Sequence, residues 1–209
     1  MVEANSQTAL NPGKMHVSLV HQELRDATAA PHKSLEKRLP FESADLDRGA
    51  YLRLLEAYYG FYFALEQQLD RVCDLDRSSL IGRHKAAALE KDLEVLGLTQ
   101  EQISALEMCH ELPPLTNALQ ALGVMYVMEG ATLGGQVLSR IVKARLSIDS
   151  DTGGAFLNVY GSAAGQMWRR FLALLSVVDD PIQRGQVVQS ALLTFGSFER
   201  WLERSQVLR

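Results

Sequence analysis

Apolar residues recur at three- and four-residue steps along most of this chain. In the first such stretch Val20, Leu24 and Leu39 belong to one stripe, which Pro31 interrupts. Steps of three and four place residues on one face of an α-helix, so the pattern predicts amphipathic helices. A proline inside a helix removes a backbone hydrogen bond and costs about 3 kcal/mol, so we expect a bend or a break near residues 27–31.

The same periodicity continues to the end of the chain, and several helix ends carry their own signals. Thr99 and Gln102 form a capping box, and Gly97 is typical of a helix stop. Asp180 followed by Pro181 is an N-cap with a proline in the first turn. After the first helix, the predicted helices span about 48–73, 84–96, 99–108, 115–146, 155–178 and 181–204.

The pattern indicates a single helical domain. No segment alternates between apolar and polar positions at period two, so no strand is predicted, and helices joined by short loops form compact all-α bundles. A chain of 209 residues can bury one sizeable core. Residues 1–14 are polar and include proline, glycine and asparagine, which predicts a disordered N-terminal tail. We therefore expect a tail over 1–14 and an all-α domain over 15–209.

Composition narrows the function classes. The formal net charge is −4, which argues against a general nucleic-acid partner but leaves room for a local basic rim. No run reaches the roughly 18 apolar residues of a membrane span, and the start lacks a signal-peptide core, so neither a membrane partner nor secretion is expected. Cys73 and Cys109 lack metal-finger spacing and are expected to be reduced thiols in a cytoplasmic protein.

Glycine placement is the least ordinary feature of the sequence. The stretch 123–142 is periodic and apolar like a helix, yet it holds Gly123, Gly130, Gly134 and Gly135. Each glycine costs about 1 kcal/mol relative to alanine in a helix interior. Gly130 and Gly134 are four residues apart and therefore share one face. That bare face fits either close packing of small residues against another helix or a large flat cofactor ring lying on the backbone.

Histidines offer a ligand for such a cofactor without identifying it. His32 continues the apolar stripe of the first helix, and His21 lies eleven residues earlier, close to the same face. A lone histidine on an apolar face is more often a hydrogen-bonded core residue than a ligand. Spacing alone does not choose between the two histidines.

Two segments together resemble a known family. Residues 24–32, LRDATAAPH, look like the proximal helix of haem oxygenases, and residues 123–136, GVMYVMEGATLGGQ, look like the distal helix of their bacterial branch. The order and separation of these segments agree with the family over about 18–204. The segment from Tyr160 to Phe171 also resembles the bacterial forms associated with supplying the bacteriophytochrome chromophore.

The resemblance implies a fold and a set of site residues. Haem would lie between the proximal first helix and the glycine-rich distal helix of a single-domain bundle. The residues assigned by carry-over are His32 as the proximal iron ligand, Gly130, Gly134 and Gly135 as the catalytic distal wall, Arg25 and Tyr126 as propionate contacts, and Phe195 and Phe198 as further pocket lining.

The implied activity is oxidative cleavage of haem at a meso carbon, with the α position favoured, to biliverdin, CO and ferrous iron. Haem would be both substrate and cofactor, O2 the oxidant, and a ferredoxin or flavin reductase the electron donor, with a bacteriophytochrome as an acceptor of the product.

The sequence departs from the family pattern at one position that bears on proton delivery. The mammalian type has an aspartate after the first distal glycine where this chain has Ala131, so the proton route stays open, and Glu129 need not face the haem.

Two other function classes remain at this level. A non-catalytic haem carrier or sensor on the same scaffold would bind haem through His32 and leave the ring intact under reductant and O2. A relative of the thiaminase or cofactor-oxidase type would share the architecture and bind no haem. Product formation separates the first class from an oxygenase, and haem binding separates the second.

Overall fold

The computed structural model describes residues 18–72 and 77–209. The predicted tail over 1–14 and Cys73 lie outside these residues. Within the described residues the chain is helical and contains no β-strand, which confirms the all-α prediction. The α-helices are α1 Leu19–Arg38, α2 Arg48–Leu69, α3 Ala86–Leu96, α4 Gln100–Ser104, α5 Ala118–Leu146, α6 Ala164–Leu175 and α7 Pro181–Arg204.

Helix α1 passes through Pro31 as one continuous helix, so of the expected bend or break the break is wrong. Its stripe of Val20, Leu24 and Leu35 is buried, and α1 packs along α7. Most helical stability comes from the packing of an apolar face rather than from the backbone alone. The packing of the apolar face of α1 therefore outweighs the one backbone hydrogen bond that is lost at Pro31.

The predicted helix ends are largely confirmed. Thr99 and Gln102 form both halves of a capping box, although α4 ends at Ser104 rather than near residue 108. Gly97 follows α3 in the left-handed region at φ 112°, a conformation that glycine adopts without strain. The Asp180 carboxylate accepts hydrogen bonds from two backbone N–H groups in the first turn of α7.

The predicted helix over 155–178 is wrong in its first half. Two 3-10 turns, Phe156–Asn158 and Gly161–Ala163, precede α6. The buried Asp92 carboxylate of α3 accepts hydrogen bonds from the N–H groups of Ala155 and Phe156 at 2.8 and 2.7 Å. This contact from a distant helix fixes the turn, and the local pattern of apolar residues cannot predict it.

Helices α1 and α5 both pack against α7. Gly123 of α5 lies so close to Val187 and Ser190 of α7 that a Cβ at this position would clash with both. Close packing therefore explains this one glycine. Aromatic rings of α2 and α7, including Tyr58, Tyr62 and Phe198, contact one another edge to face.

Candidate active site

A cavity of about 570 Å³ lies where α1, α5 and α7 meet, a size typical of ligand-binding sites. Helix α1 supplies one wall, α5 supplies another, and α7 joins them. All eight residues assigned from the sequence line this cavity. They are Arg25 and His32 from α1, Tyr126, Gly130, Gly134 and Gly135 from α5, and Phe195 and Phe198 from α7.

His32 is not a core residue. Its side chain is 54% exposed, and its Nδ1 lies 3.5 Å from the Glu36 carboxylate, one turn further along α1. The imidazole meets the Phe195 ring edge to face, with 5.9 Å between ring centroids. A carboxylate beside one ring nitrogen fixes the orientation of an imidazole and leaves the other nitrogen available.

His21 is placed differently, which separates the two histidines. It does not line the cavity, and its ring lies edge to face against Tyr126 and Trp168 at 6.4 and 5.9 Å. Burial, together with the nearby Arg25 charge, lowers the pKa of His21 from its usual value. The aromatic contacts give this histidine a packing role.

The glycines on the α5 wall divide into two kinds. A Cβ on Gly134 would meet nothing within 4 Å, and one on Gly130 would meet only the edge of Trp168 at 4.0 Å. A Cβ on Gly135 would lie 2.5 Å from the carbonyl oxygen of Leu157. Gly130 and Gly134 therefore leave space in the cavity, whereas Gly135 lets the 3-10 turn approach α5.

One end of the cavity carries Arg25 and Tyr126. Burial raises the pKa of the Tyr126 hydroxyl, while a hydrogen bond with Thr28 and the Arg25 charge act in the opposite direction. The lining also includes Asp26 and Glu36, so the rim is mixed in charge rather than basic. Arg25 and Glu36 are eleven residues apart on α1, which separates them by about 16 Å along the helix.

The inner end of the cavity is lined by Tyr58, Tyr62 and Lys85. All three are buried, with Lys85 only 1% exposed. Burial is the main reason that the pKa values of both tyrosines lie above their usual value and that of Lys85 below it. Neither tyrosine hydroxyl donates a hydrogen bond to another described residue, so both are available to a ligand or to water in the cavity.

Glu129 points away from the cavity into a buried ionic cluster. Its carboxylate accepts hydrogen bonds from Arg83 at 2.5 Å, Lys85 at 2.7 Å and Tyr160 at 2.9 Å. The Lys85 ammonium also donates to the Arg83 carbonyl at 2.8 Å. Lys85 is thus the member of this cluster that also lines the cavity.

Comparison with known proteins assigns this architecture to a family. The family model described as Heme oxygenase matches residues 18–204, which include every residue that lines the cavity. The chain belongs to the haem oxygenase family. It is accordingly a haem-degrading oxidoreductase.

Relatives and solved structures agree with this family. A haem oxygenase from Xanthomonas campestris pv. campestris (strain 8004) is 29% identical over 159 residues, 75% of this chain and 91% of that protein. The NO- and CO-bound haem oxygenase from Neisseria meningitidis matches with a TM-score of 0.69 and 20% identity, covering 89% of this chain and 91% of that one. The haem oxygenase of the cyanobacterium Synechocystis, in complex with haem, matches with a TM-score of 0.68 and 16% identity over 88% and 91%. These structures confirm the haem-oxygenase-like fold.

Several lining residues of this haem oxygenase were not identified from its sequence. Tyr58 and Tyr62 lie on the apolar face of α2, and residues on such a face are typical of the core rather than of a binding site. Lys85 precedes α3 and carries no periodic signal. Glu36 could have been identified from the sequence, because it lies four residues after His32 on the same helix face.

No described helix has the length and apolar character needed to cross a bilayer.

Proposed function

We propose that this haem oxygenase cleaves haem at a meso carbon, with the α position favoured, to biliverdin, CO and ferrous iron. The oxidant is O2 and the electrons come from an external reductant. The observation that carries the proposal is the pairing of two walls around one cavity. One wall presents the His32 imidazole, and the other presents the bare backbone at Gly130 and Gly134.

His32 is the iron ligand in this proposal. A neutral imidazole is the usual proximal ligand where one face of a haem iron must stay open. Glu36 lies beside Nδ1 at 3.5 Å and so leaves Nε2 for the metal. When bound, haem supplies the iron chemistry that activates O2, and the protein supplies orientation and a shaped pocket.

The second wall sets how closely the porphyrin and O2 approach the backbone. Open space at Gly134 and near-open space at Gly130 give a flat face without side chains over the ring. When haem is bound, this bare backbone would hold the porphyrin and O2 close together, and a fixed orientation of two reactants favours attack on one carbon. Gly135 contributes indirectly, because its contact with Leu157 keeps the 3-10 turn against α5.

Seating of the propionates decides which meso carbon is attacked. Arg25 and Tyr126 offer a cation and a hydroxyl at one end of the cavity, and the Glu36 carboxylate repels a propionate at the other end of α1. Phe195 and Phe198 line the same cavity from α7 and would contact the porphyrin. Asp26 is next to Arg25, so the two ends of the cavity differ by the Arg25 cation and the Tyr126 hydroxyl, and that difference supports one seating and hence one major product.

We propose the remaining partners from the family resemblance and the sequence. The electron donor is a ferredoxin or a flavin reductase, and the location is the cytoplasm. The segment from Tyr160 to Phe171 supports a bacteriophytochrome as the acceptor of biliverdin in a bacterial host.

The test is to incubate the purified protein with haemin, a reductant and air, and to follow biliverdin by absorption and CO by gas analysis. Stoichiometric biliverdin is expected, and chromatography of its isomers reports the carbon attacked. Binding of haemin with no biliverdin and no CO would instead make the protein a haem carrier or sensor. Absence of binding would favour a relative of the thiaminase type.

A further inference from the structure

A line of three hydrogen-bonded side chains connects the surface with the inner end of the cavity. Tyr160 is half-buried, and its hydroxyl donates to Glu129 Oε1 at 2.9 Å. The Lys85 ammonium donates to the same oxygen at 2.7 Å. Lys85 is 1% exposed and lines the cavity. We refer to Tyr160, Glu129 and Lys85 as the buried relay.

Stability alone does not account for these charges. Arg83, Lys85, Glu129 and Glu66 are all less than 10% exposed and form a cluster with no formal net charge. Removing ions from water is unfavourable, and a buried ion pair can often be replaced by apolar residues without loss of stability. Titratable groups with perturbed pKa values beside a cavity are candidates for a functional role.

Other proton donors are poorly placed on the glycine side of the cavity. Position 131 holds an alanine, and the hydroxyl of Thr132 is engaged with the Glu129 carbonyl at 2.7 Å. The carboxylates of Asp26 and Glu36 belong to α1, the wall that also carries His32. Lys85 lines the cavity from outside α1, and its ammonium is hydrogen-bonded through Glu129 to Tyr160, a residue that is partly exposed to solvent.

We propose that the buried relay carries protons from solvent to the inner end of the cavity during haem cleavage. This inference rests on the proposed function, since haem cleavage consumes protons where O2 is reduced. In this proposal the three side chains deliver protons to the cavity, because position 131 holds an alanine and cannot do so.

After one proton has been delivered to the cavity, each side chain of the buried relay has the same protonation state as before. The Lys85 ammonium gives one proton to an acceptor in the cavity, which leaves a neutral amine. The Tyr160 hydroxyl passes a proton to the Glu129 carboxylate, the protonated Glu129 passes that proton on to the Lys85 amine, and Tyr160 regains a proton from water. One proton enters from solvent and one arrives in the cavity, so charge and atoms balance. Burial lowers the pKa of Lys85, which favours release of its proton, whereas burial and the Glu129 charge raise the pKa of Tyr160, so the Tyr160 hydroxyl passes its proton on only as water supplies another.

The relay can be tested without turnover. The protein is labelled with 15N-lysine and its cavity is filled with zinc protoporphyrin, which does not undergo the reaction. Exchange of the Lys85 ammonium protons with solvent is then measured by NMR. Tyr160→Phe keeps the ring and removes the solvent end of the relay, so exchange is expected to slow by about tenfold or more.

Tyr51→Phe is the matched control. It also removes one tyrosine hydroxyl and one hydrogen bond, that from Tyr51 to the Gly153 carbonyl at 3.0 Å, and Tyr51 does not line the cavity. Exchange at Lys85 should be unchanged in this variant. Equal exchange rates in the wild type, Tyr160→Phe and Tyr51→Phe would show that protons reach Lys85 by another way, and the relay would be rejected.

Turnover gives a second, independent measurement. Tyr160→Phe and Lys85→Met should bind haemin with the wild-type absorption spectrum and degrade it about 100-fold more slowly with reductant and O2. Hydrogen peroxide supplies reduced oxygen already protonated, so it should restore product formation in both variants. A deficit that peroxide leaves in place would indicate a distorted pocket and would contradict the relay.

The two proposals fail in different ways. If the wild-type protein forms no biliverdin from haemin, the proposed function is wrong. If the wild type forms biliverdin and Tyr160→Phe does so at the same rate, only the relay is wrong.

Discussion

At the residue scale, the proposed iron ligand His32 depends on Glu36, because the group beside the second nitrogen of a metal-bound histidine sets how the imidazole is held. The exposed imidazole is oriented by the Glu36 carboxylate on one side and the edge of Phe195 on another. Groups that hold the second nitrogen of a metal-bound histidine fix its tautomer and strengthen the ligand. His21 has aromatic neighbours instead and lacks access to the cavity.

Replacing His32 with alanine should remove the histidine-ligated haem spectrum. Because the side chain is half exposed, the free energy of unfolding should change by no more than about 0.5 kcal/mol. Absorption spectra of the haemin complex and circular dichroism measure the two effects. His21→Ala is the control and should keep the ligated spectrum; its loss in that variant would make His21 the ligand.

Substitutions at two glycines of α5 distinguish an effect on the cavity from an effect on the packing of the helix. Gly134→Leu adds a side chain where a Cβ meets no atom within 4 Å. The added side chain should displace the porphyrin and lower the rate of haem degradation about 100-fold, since a misplacement of about 1 Å can have that effect. The free energy of unfolding should not fall, because leucine is the better helix former.

Gly135→Ala is the matched change one residue along the same helix. Its Cβ would lie 2.5 Å from the Leu157 carbonyl oxygen, so the chain must shift. A loss of about 1–3 kcal/mol in the free energy of unfolding is expected from such overpacking. Denaturant unfolding of both variants checks the pair. Full turnover in Gly134→Leu would contradict the close-approach argument.

At the scale of elements, α7 depends on its first turn because it packs against both α1 and α5. The Asp180 carboxylate accepts hydrogen bonds from the N–H groups of Ile182 and Gln183, both at 3.0 Å. Those donors would otherwise lack partners, and the negative charge also suits the helix N-terminus.

Asp180→Ala should lower the free energy of unfolding by about 1 kcal/mol. Asp179→Ala removes the same charge one position earlier, where the side chain makes no capping contact among the described residues, and should change it much less. Denaturant unfolding measures both. Equal losses would mean that charge, rather than the cap, is responsible.

Helix prediction succeeded where the signal is local and failed where a distant residue intervenes. The cap at Asp180, the stop at Gly97 and the capping box at Thr99 are sequence patterns with a direct backbone consequence. The turn at Phe156 depends instead on Asp92, 64 residues earlier. Its apolar residues follow a helical period, so periodicity alone predicts the wrong element.

At the scale of the whole molecule, the cavity lies between α1, α2, α5 and α7, and a ligand that fills it should hold these helices together. A porphyrin that binds only the folded state stabilises it by about 2.7 kcal/mol at 100 times its dissociation constant. For a chain of this size the unfolding midpoint should rise by about 5–10 °C.

Zinc protoporphyrin permits this measurement without turnover, using thermal unfolding followed by circular dichroism. The rise should be much smaller in Gly134→Leu, whose added side chain occupies the same space. An equal rise in the two proteins would place the porphyrin elsewhere.

The sequence by itself determined the helical class, most helix bounds and the residues of the two walls. These features depend only on residues that are close together in the sequence, namely the helical period, the capping residues and the two family-like segments. They can therefore be identified without knowing which distant residues pack against them. Only the tertiary structure decided which glycine serves which purpose, which histidine reaches the cavity and which charges lie behind it. Gly130, Gly134 and Gly135 are alike in sequence, but their surroundings come from Trp168, open space and Leu157. Lys85, Glu129 and Tyr160 meet only because the start of α3, the helix α5 and the 3-10 turns before α6 pack around one core, and no local sequence pattern predicts that contact.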